Sequence, residues 1–307
     1  MLTVLAVAAL LSCKLVAAIG NDALKANKTV ANADLTTKGS DFLWAVFAVM
    51  LASALGTTVW AMFLPAGKRA FHWIGVALLF TASIAYFSMA SDLGATPVYV
   101  EFVRYKGDLF TNRKINPYTR SIWYARYIDW TITTPLLLME LLLATGLPLS
   151  EIMITIFMDE FMIVGGLIGA LVPSSYKWGY FTGATVAQLF IAYVLVFPAR
   201  KAAYAISSAA GSAYIKSCIV LLVLWLGYPI CWGLADGGNV ISTDGEMIFY
   251  GVLDVLAKPA FLFFHLISLQ TVAYESFQLQ SGHYSIGAST GGEKLGNQAN
   301  GRNGQVA

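Results

Sequence analysis

Residues 42–67 carry no charged side chain, and neither do residues 178–199. Runs of that length are too long for strands of an ordinary sheet. In lipid, only a helix satisfies the backbone groups of a single apolar segment. Seven segments have the required length and character, at roughly 42–65, 71–92, 121–145, 151–172, 178–199, 216–236 and 246–273. The expected fold is therefore all-α, a seven-transmembrane-helix bundle. Composition agrees: 58% of residues are hydrophobic and 12% charged, against about 25% charged in soluble domains. A net charge of +2 gives no reason to expect a nucleic-acid partner. Cys13, Cys218 and Cys231 show neither metal spacing nor a disulfide framework, and the last two read as small buried hydrophobes.

The chain divides into an N-terminal segment 1–41, a helical domain 42–275 and a tail 276–307. Val4–Leu11 followed by Val16-Ala17-Ala18 resembles a signal peptide, but the positive n-region is missing. A cleaved leader and an N-terminal arm both stay open. Asn27-Lys28-Thr29 is a glycosylation sequon. It favours an outside N-terminus, whereas the Lys/Arg distribution decides nothing, because both faces carry basic residues. The longest link, about 93–120, reads as a small surface hairpin around Lys106-Gly107-Asp108. The tail, rich in Gly, Ser, Asn and Gln, has the composition of a disordered segment.

Charges inside the spans are the informative exceptions. A charged residue at mid-membrane costs about 2.5–3.5 kcal/mol on insertion scales, so it needs a partner or a function. Lys258 lies near the middle of the seventh segment, with Asp254 four residues earlier on the same face. A structural ion pair is one reading of these two residues. The third segment places Arg126, Asp129, Thr133 and Glu140 on one line. Eleven residues separate Asp129 from Glu140, close to three helical turns and about 16 Å. Two carboxylates so aligned, facing a buried lysine, suit a proton relay whose members need different environments. Asp129, beside Arg126, is expected to be ionised. Glu140, among Leu138, Met139, Leu141 and Leu142, is expected to be protonated at rest. In the sixth segment Trp225, Tyr228 and Trp232 form a stripe, and Pro229 predicts a bend. The stripe reads either as core packing or as one wall of a slot for a flat apolar ligand, with Trp130 opposite.

These residues carry a resemblance. The stretches Arg126–Leu138, Trp225–Trp232 and Leu253–Lys258 resemble the third-, sixth- and seventh-helix signatures of microbial rhodopsins, over about residues 42–275. Trp232–Gly237 is similar to the fungal branch. The resemblance implies a light-driven proton pump of the bacteriorhodopsin kind, a transporter and not an enzyme. All-trans retinal would lie in the core of the bundle, joined to Lys258 as a Schiff base. Asp129 and Asp254 would be counterions, Asp129 the proton acceptor and Glu140 the donor on the cytoplasmic side. Arg126 would gate the outer side, with Glu246 and Asp236 in release. The pocket would include Tyr86, Trp130, Thr134, Leu137, Met162, Gly166, Trp225, Tyr228, Trp232 and Ala257.

Asp159 matches a fourth-helix acid that either tunes colour or links helices as a neutral group. Glutamate at 140 departs from the aspartate of the haloarchaeal archetype and resembles bacterial pumps and some slow fungal relatives. The set Asp129, Thr133, Glu140 argues against the chloride-pump and sodium-pump patterns. His265, seven residues past Lys258, reads as a packing residue or as a contact of the uptake path. The expected setting is the plasma membrane with the N-terminus outside, lipid and protons are the partners, and homo-oligomerisation is left open. The rivals are a slow photosensor, a stress-induced membrane protein without the retinal lysine, and an animal-type receptor.

Overall fold

The computed structural model describes residues 22–27, 31–101 and 118–279. The leader-like stretch, residues 28–29 of the sequon, the Lys106–Asp108 turn, Cys13 and the tail from 280 lie outside the described residues. Seven long helices follow in order: α1 Thr37–Met62, α2 Ala70–Ala90, α3 Tyr124–Leu142, α4 Leu149–Leu171, α5 Lys177–Ile206, α6 Ser208–Gly237 and α7 Thr243–Leu269. Six are long and apolar enough to cross a membrane by composition alone. The other is α3, which carries Arg126, Asp129 and Glu140. Each helix packs on the next, and α7 returns to α1, so the bundle closes into a ring.

The sidedness of burial is that of a protein dissolved in lipid. Ile84, Val186, Leu189, Val223 and Ile230 face outward, each more than half exposed, while Asp129, Glu140, Asp159, Asp254 and Lys258 are almost wholly enclosed. A water-soluble fold reverses this order.

Two helices extend beyond their expected spans. Residues 200–206 and 208–215, read from sequence as a link, continue α5 and begin α6. They are rich in alanine, the strongest helix former, and only Ser207 interrupts them. Its extended backbone leaves its hydroxyl free to accept from the Ala210 N–H as an N-cap.

The prolines act differently according to position. Pro135 sits in an unbroken α3. Pro259 lies in a wide turn, Leu256–Ala260, where the Phe261 N–H reaches back five residues to Leu256. That turn contains Lys258. Pro229 withholds the hydrogen bond that the Trp225 carbonyl would otherwise accept, and Gln188 of α5 supplies one instead at 2.9 Å. A break at Leu226 accompanies it.

One end of the ring is tied by polar contacts. Strands β1 Thr96–Tyr99 and β2 Thr119–Ile122 pair antiparallel at the two ends of the long link. Gly94, in a left-handed turn (φ 79°), accepts from the Ala125 N–H at the start of α3. Ahead of α1, Thr36 bonds Asp244 and the Asp34 carbonyl accepts from Thr243. The Asn27 amide nitrogen, the atom a sequon glycan would use, donates to the Ser91 carbonyl at 2.9 Å. At the other end Lys68 pairs with Glu275 at 2.7 Å. His72 packs edge-on against Trp60, and its ring nitrogens have no hydrogen-bond partner.

Candidate functional site

Lys258 sits at mid-bundle because the wide turn before Phe261 rotates it toward α3. Its ammonium donates to Asp129 and, at 3.2 Å, to Asp254 four residues earlier on α7. The two carboxylates are partnered unequally. Asp254 also accepts from Tyr86 of α2 at 2.7 Å and from Tyr228 of α6 at 2.6 Å. Asp129 has Lys258 as its hydrogen-bond donor, and its Oδ1 has no partner.

Arg126 is directed at Glu246, the residue named with it for the outer side. It does not hydrogen-bond Asp129; its guanidinium pairs with Glu246, donates to the Met247 sulfur at 2.8 Å and lies 4.3 Å from the Tyr250 ring centre. Glu246 offers two oxygens to Arg126 and Arg120 and so outcompetes Asp129, which is already engaged by Lys258. Arg120, at 1% exposure, also donates to the Ile241 carbonyl. Nearby, Asp236 accepts from the Tyr127 hydroxyl at 2.9 Å, and its backbone carbonyl accepts from Lys177 at 2.9 Å. Neither Arg120 nor Lys177 stood out in the sequence, where both looked like loop charges.

Glu140 lies on the same helix, toward the opposite end. It is fully buried, and neither carboxyl oxygen meets a hydrogen-bonding side chain. Its backbone carbonyl accepts from His265. Asp159 accepts from the Thr134 hydroxyl at 2.7 Å, joining α3 to α4.

A cavity opens beside Lys258. Trp130, Thr134, Leu137, Met162, Gly166, Trp225, Tyr228 and Trp232 line it. Tyr86 and Ala257 do not. Tyr86 is turned to Asp254, and Ala257 is packed away within α7. The wall from α5, formed by Phe181, Ala184, Thr185 and Gln188, was missed. Phe181 stacks on Trp232 at 4.9 Å, and the Trp232 indole donates to the Gly166 carbonyl at 3.2 Å. An aromatic, largely apolar slot ending at one amine with two carboxylates fits a long, flat hydrocarbon attached at one end to lysine.

Residues 38–272 match the family described as bacteriorhodopsin-like protein. Protein FDD123 of Trametes versicolor is 49% identical over 267 residues, covering 87% of this chain and 90% of that protein. The opsin-like protein carO of Fusarium fujikuroi is 45% identical over 246 residues, covering 78% of each. Among solved structures, the light-driven proton pump LR (Mac) from Leptosphaeria maculans matches with a TM-score of 0.73 at 34% identity. That match covers 78% of this chain and 99% of that one. With a ring of seven helices and a lysine facing an aromatic slot, this integral multi-pass membrane protein belongs to the bacteriorhodopsin-like family.

Proposed function

We propose that the chain is a light-driven outward proton pump, with all-trans retinal joined to Lys258 as a Schiff base. The observation that carries the reading is the graded partnering of three buried carboxyl groups, two at the Lys258 nitrogen and one further along α3. Asp254 has three donors, Asp129 has Lys258 alone, and Glu140 meets no hydrogen-bonding side chain. When bound, retinal would supply light absorption and an isomerisation within its own polyene.

The protein's own groups divide the remaining work. Tyr86 and Tyr228 hold Asp254 as a fixed anion, and the Schiff-base nitrogen would keep a single proton to give. Asp129 has a spare oxygen and one donor, so it is the carboxylate placed to take the proton of the Lys258 nitrogen. Glu140, about three turns away on α3, is placed to return one from the other side. The leucines around it exclude water, which keeps the two half-paths separate. Arg120 and Arg126 clamp Glu246 as a second fixed anion. Asp236, with a tyrosine hydroxyl on one oxygen and none on the other, is the better candidate for release.

In this reading the end where α1 and α3 begin faces outward, with residues 1–41, and the tail 276–307 faces the cytoplasm across the plasma membrane. The test is reconstitution with all-trans retinal, followed by illumination of intact cells. Wild type should give a visible band and acidify the medium, and Lys258→Ala should give neither. A normal band with no light-driven pH change would reject the pump in favour of a photosensor.

A further inference from the structure

His265 has two hydrogen bonds and no exposed surface. Its Nε2 lies 2.9 Å from the backbone oxygen of Glu140 on α3, and its Nδ1 lies 2.9 Å from the Ser217 hydroxyl on α6. A carbonyl oxygen only accepts, so Nε2 carries the hydrogen. In the neutral ring Nδ1 is then an acceptor, and Ser217 donates to it. The tautomer is thereby fixed by its partners. The ring plane is fixed too: Phe261 stacks parallel to it at 5.8 Å, and Phe71 of α2 packs edge-on at 6.2 Å.

The carbonyl belongs to the last turn of α3, where regular intrahelical donors run out. His265 supplies the missing one from another helix. Its bond ends on the main chain of Glu140 and not on the carboxyl. A carbonyl cannot pass a proton onward, so this contact does not form a proton wire. It does form a crosslink between three helices at the level of a buried carboxyl group that meets no hydrogen-bonding side chain.

We propose that His265 is a positioning residue, a bolt that holds the inner ends of α3, α6 and α7 together and keeps the Glu140 carboxyl out of water. Its role in the pump rests on the reading of Glu140 as proton donor, but the bolt itself can be measured in the dark. The variants are His265→Ala, His265→Gln and Ser217→Ala in the full-length, retinal-loaded protein. Glutamine keeps one donor and one acceptor but does not titrate.

Two dark-state readouts are hydrogen exchange of the amides of residues 139–145 and the infrared carbonyl stretch of the Glu140 carboxyl, assigned by its loss in Glu140→Gln. In His265→Ala, exchange should quicken about tenfold, the effect of losing roughly one net hydrogen bond. The stretch should move to lower frequency as water bonds the carboxyl. His265→Gln should restore both, and Ser217→Ala should fall between. If His265→Ala does not assemble, Ser217→Ala must still quicken exchange for the proposal to stand. Wild-type values in His265→Ala would overturn the bolt, and so would a His265→Gln that behaves as His265→Ala. A wild type that moves no protons, with the dark-state pattern intact, would sink the pump and leave the bolt. A pumping wild type with a silent His265→Ala would do the reverse.

Discussion

Arg120, the second residue of β2, donates to Glu246 near the start of α7 at 2.7 Å, across 126 residues of sequence, and both side chains are about 1% exposed. The short strand pair is thus an anchor for a buried charge. Replacing Arg120 with Gln would leave Glu246 with Arg126 alone. Breaking such a pair from one side costs about 3–5 kcal/mol, so the variant should lose its visible band at a lower temperature than wild type. Arg120→Lys, which keeps the charge but not the fork, should fall between. Thermal bleaching of the three proteins checks this, and equal midpoints would refute it.

The two carboxylates at Lys258 should fail in different ways when neutralised. Asp129→Asn removes the proposed acceptor but leaves Asp254 and its two tyrosines, so a pigment should form, shifted to the red, with transport abolished. Asp254→Asn strips a buried anion from three donors at once, and assembly of the pigment should suffer, again by about 3–5 kcal/mol. Spectra and transport of the pair decide the matter. Normal pumping by Asp129→Asn would mean that the acceptor lies elsewhere.

Glu140→Gln keeps the shape of the proposed donor and removes its transferable proton. Recovery of the Lys258 nitrogen should then slow and depend on bulk pH, because water must supply the proton. Azide, a small mobile acid, should restore part of the rate. Flash photolysis across pH reads this directly, and matching decay in wild type and variant would remove Glu140 from the path.

Asp92 lies just beyond α2, with φ at 59° and little exposure. Burial first, and then the like charge of Asp34, push its carboxyl up from 3.8 to about 7. Between those values the folded protein keeps a proton that the unfolded chain releases. Stability therefore falls as pH rises through that window, with the loss complete above about pH 7. Asp92→Asn accepts the same backbone conformation without the charge, so it should flatten this dependence and outlast wild type at about pH 8. Bleaching half-lives at about pH 5 and 8 test it. An unchanged ratio would show that Asp92 is not the group responsible.

Legibility in the sequence followed charge. Lys258, Asp254, Asp129 and Glu140 stood out because an ionisable group in an apolar span has few structural excuses, and helical spacing alone aligned them. Arg120 and Lys177 were hidden by the opposite logic: a basic residue beside a link looks solvated until a fold brings Glu246 or Asp236 over it. The α5 wall was hidden for a third reason. Phe181, Ala184 and Thr185 are what any lipid-soluble helix contains, and only the neighbour that each faces makes it part of a slot. Helix ends were blurred where alanines carried α5 and α6 past the charges that closed the apolar runs.

The contrast between the two ends of α3 has an electrical consequence. Around Arg126 the protein is dense with paired charges and polar groups, including guanidinium groups, carboxylates and tyrosine hydroxyls. Around Glu140 lie Leu138, Leu141 and Leu142, with His265 and Ser217 the polar groups at its level. A transmembrane voltage drops mainly across the less polarisable part of a path, as it does across the weaker dielectric of two capacitors in series. The field should therefore concentrate between Glu140 and Lys258, and in the proposed pump the return of a proton along that stretch should carry most of the current of each turnover.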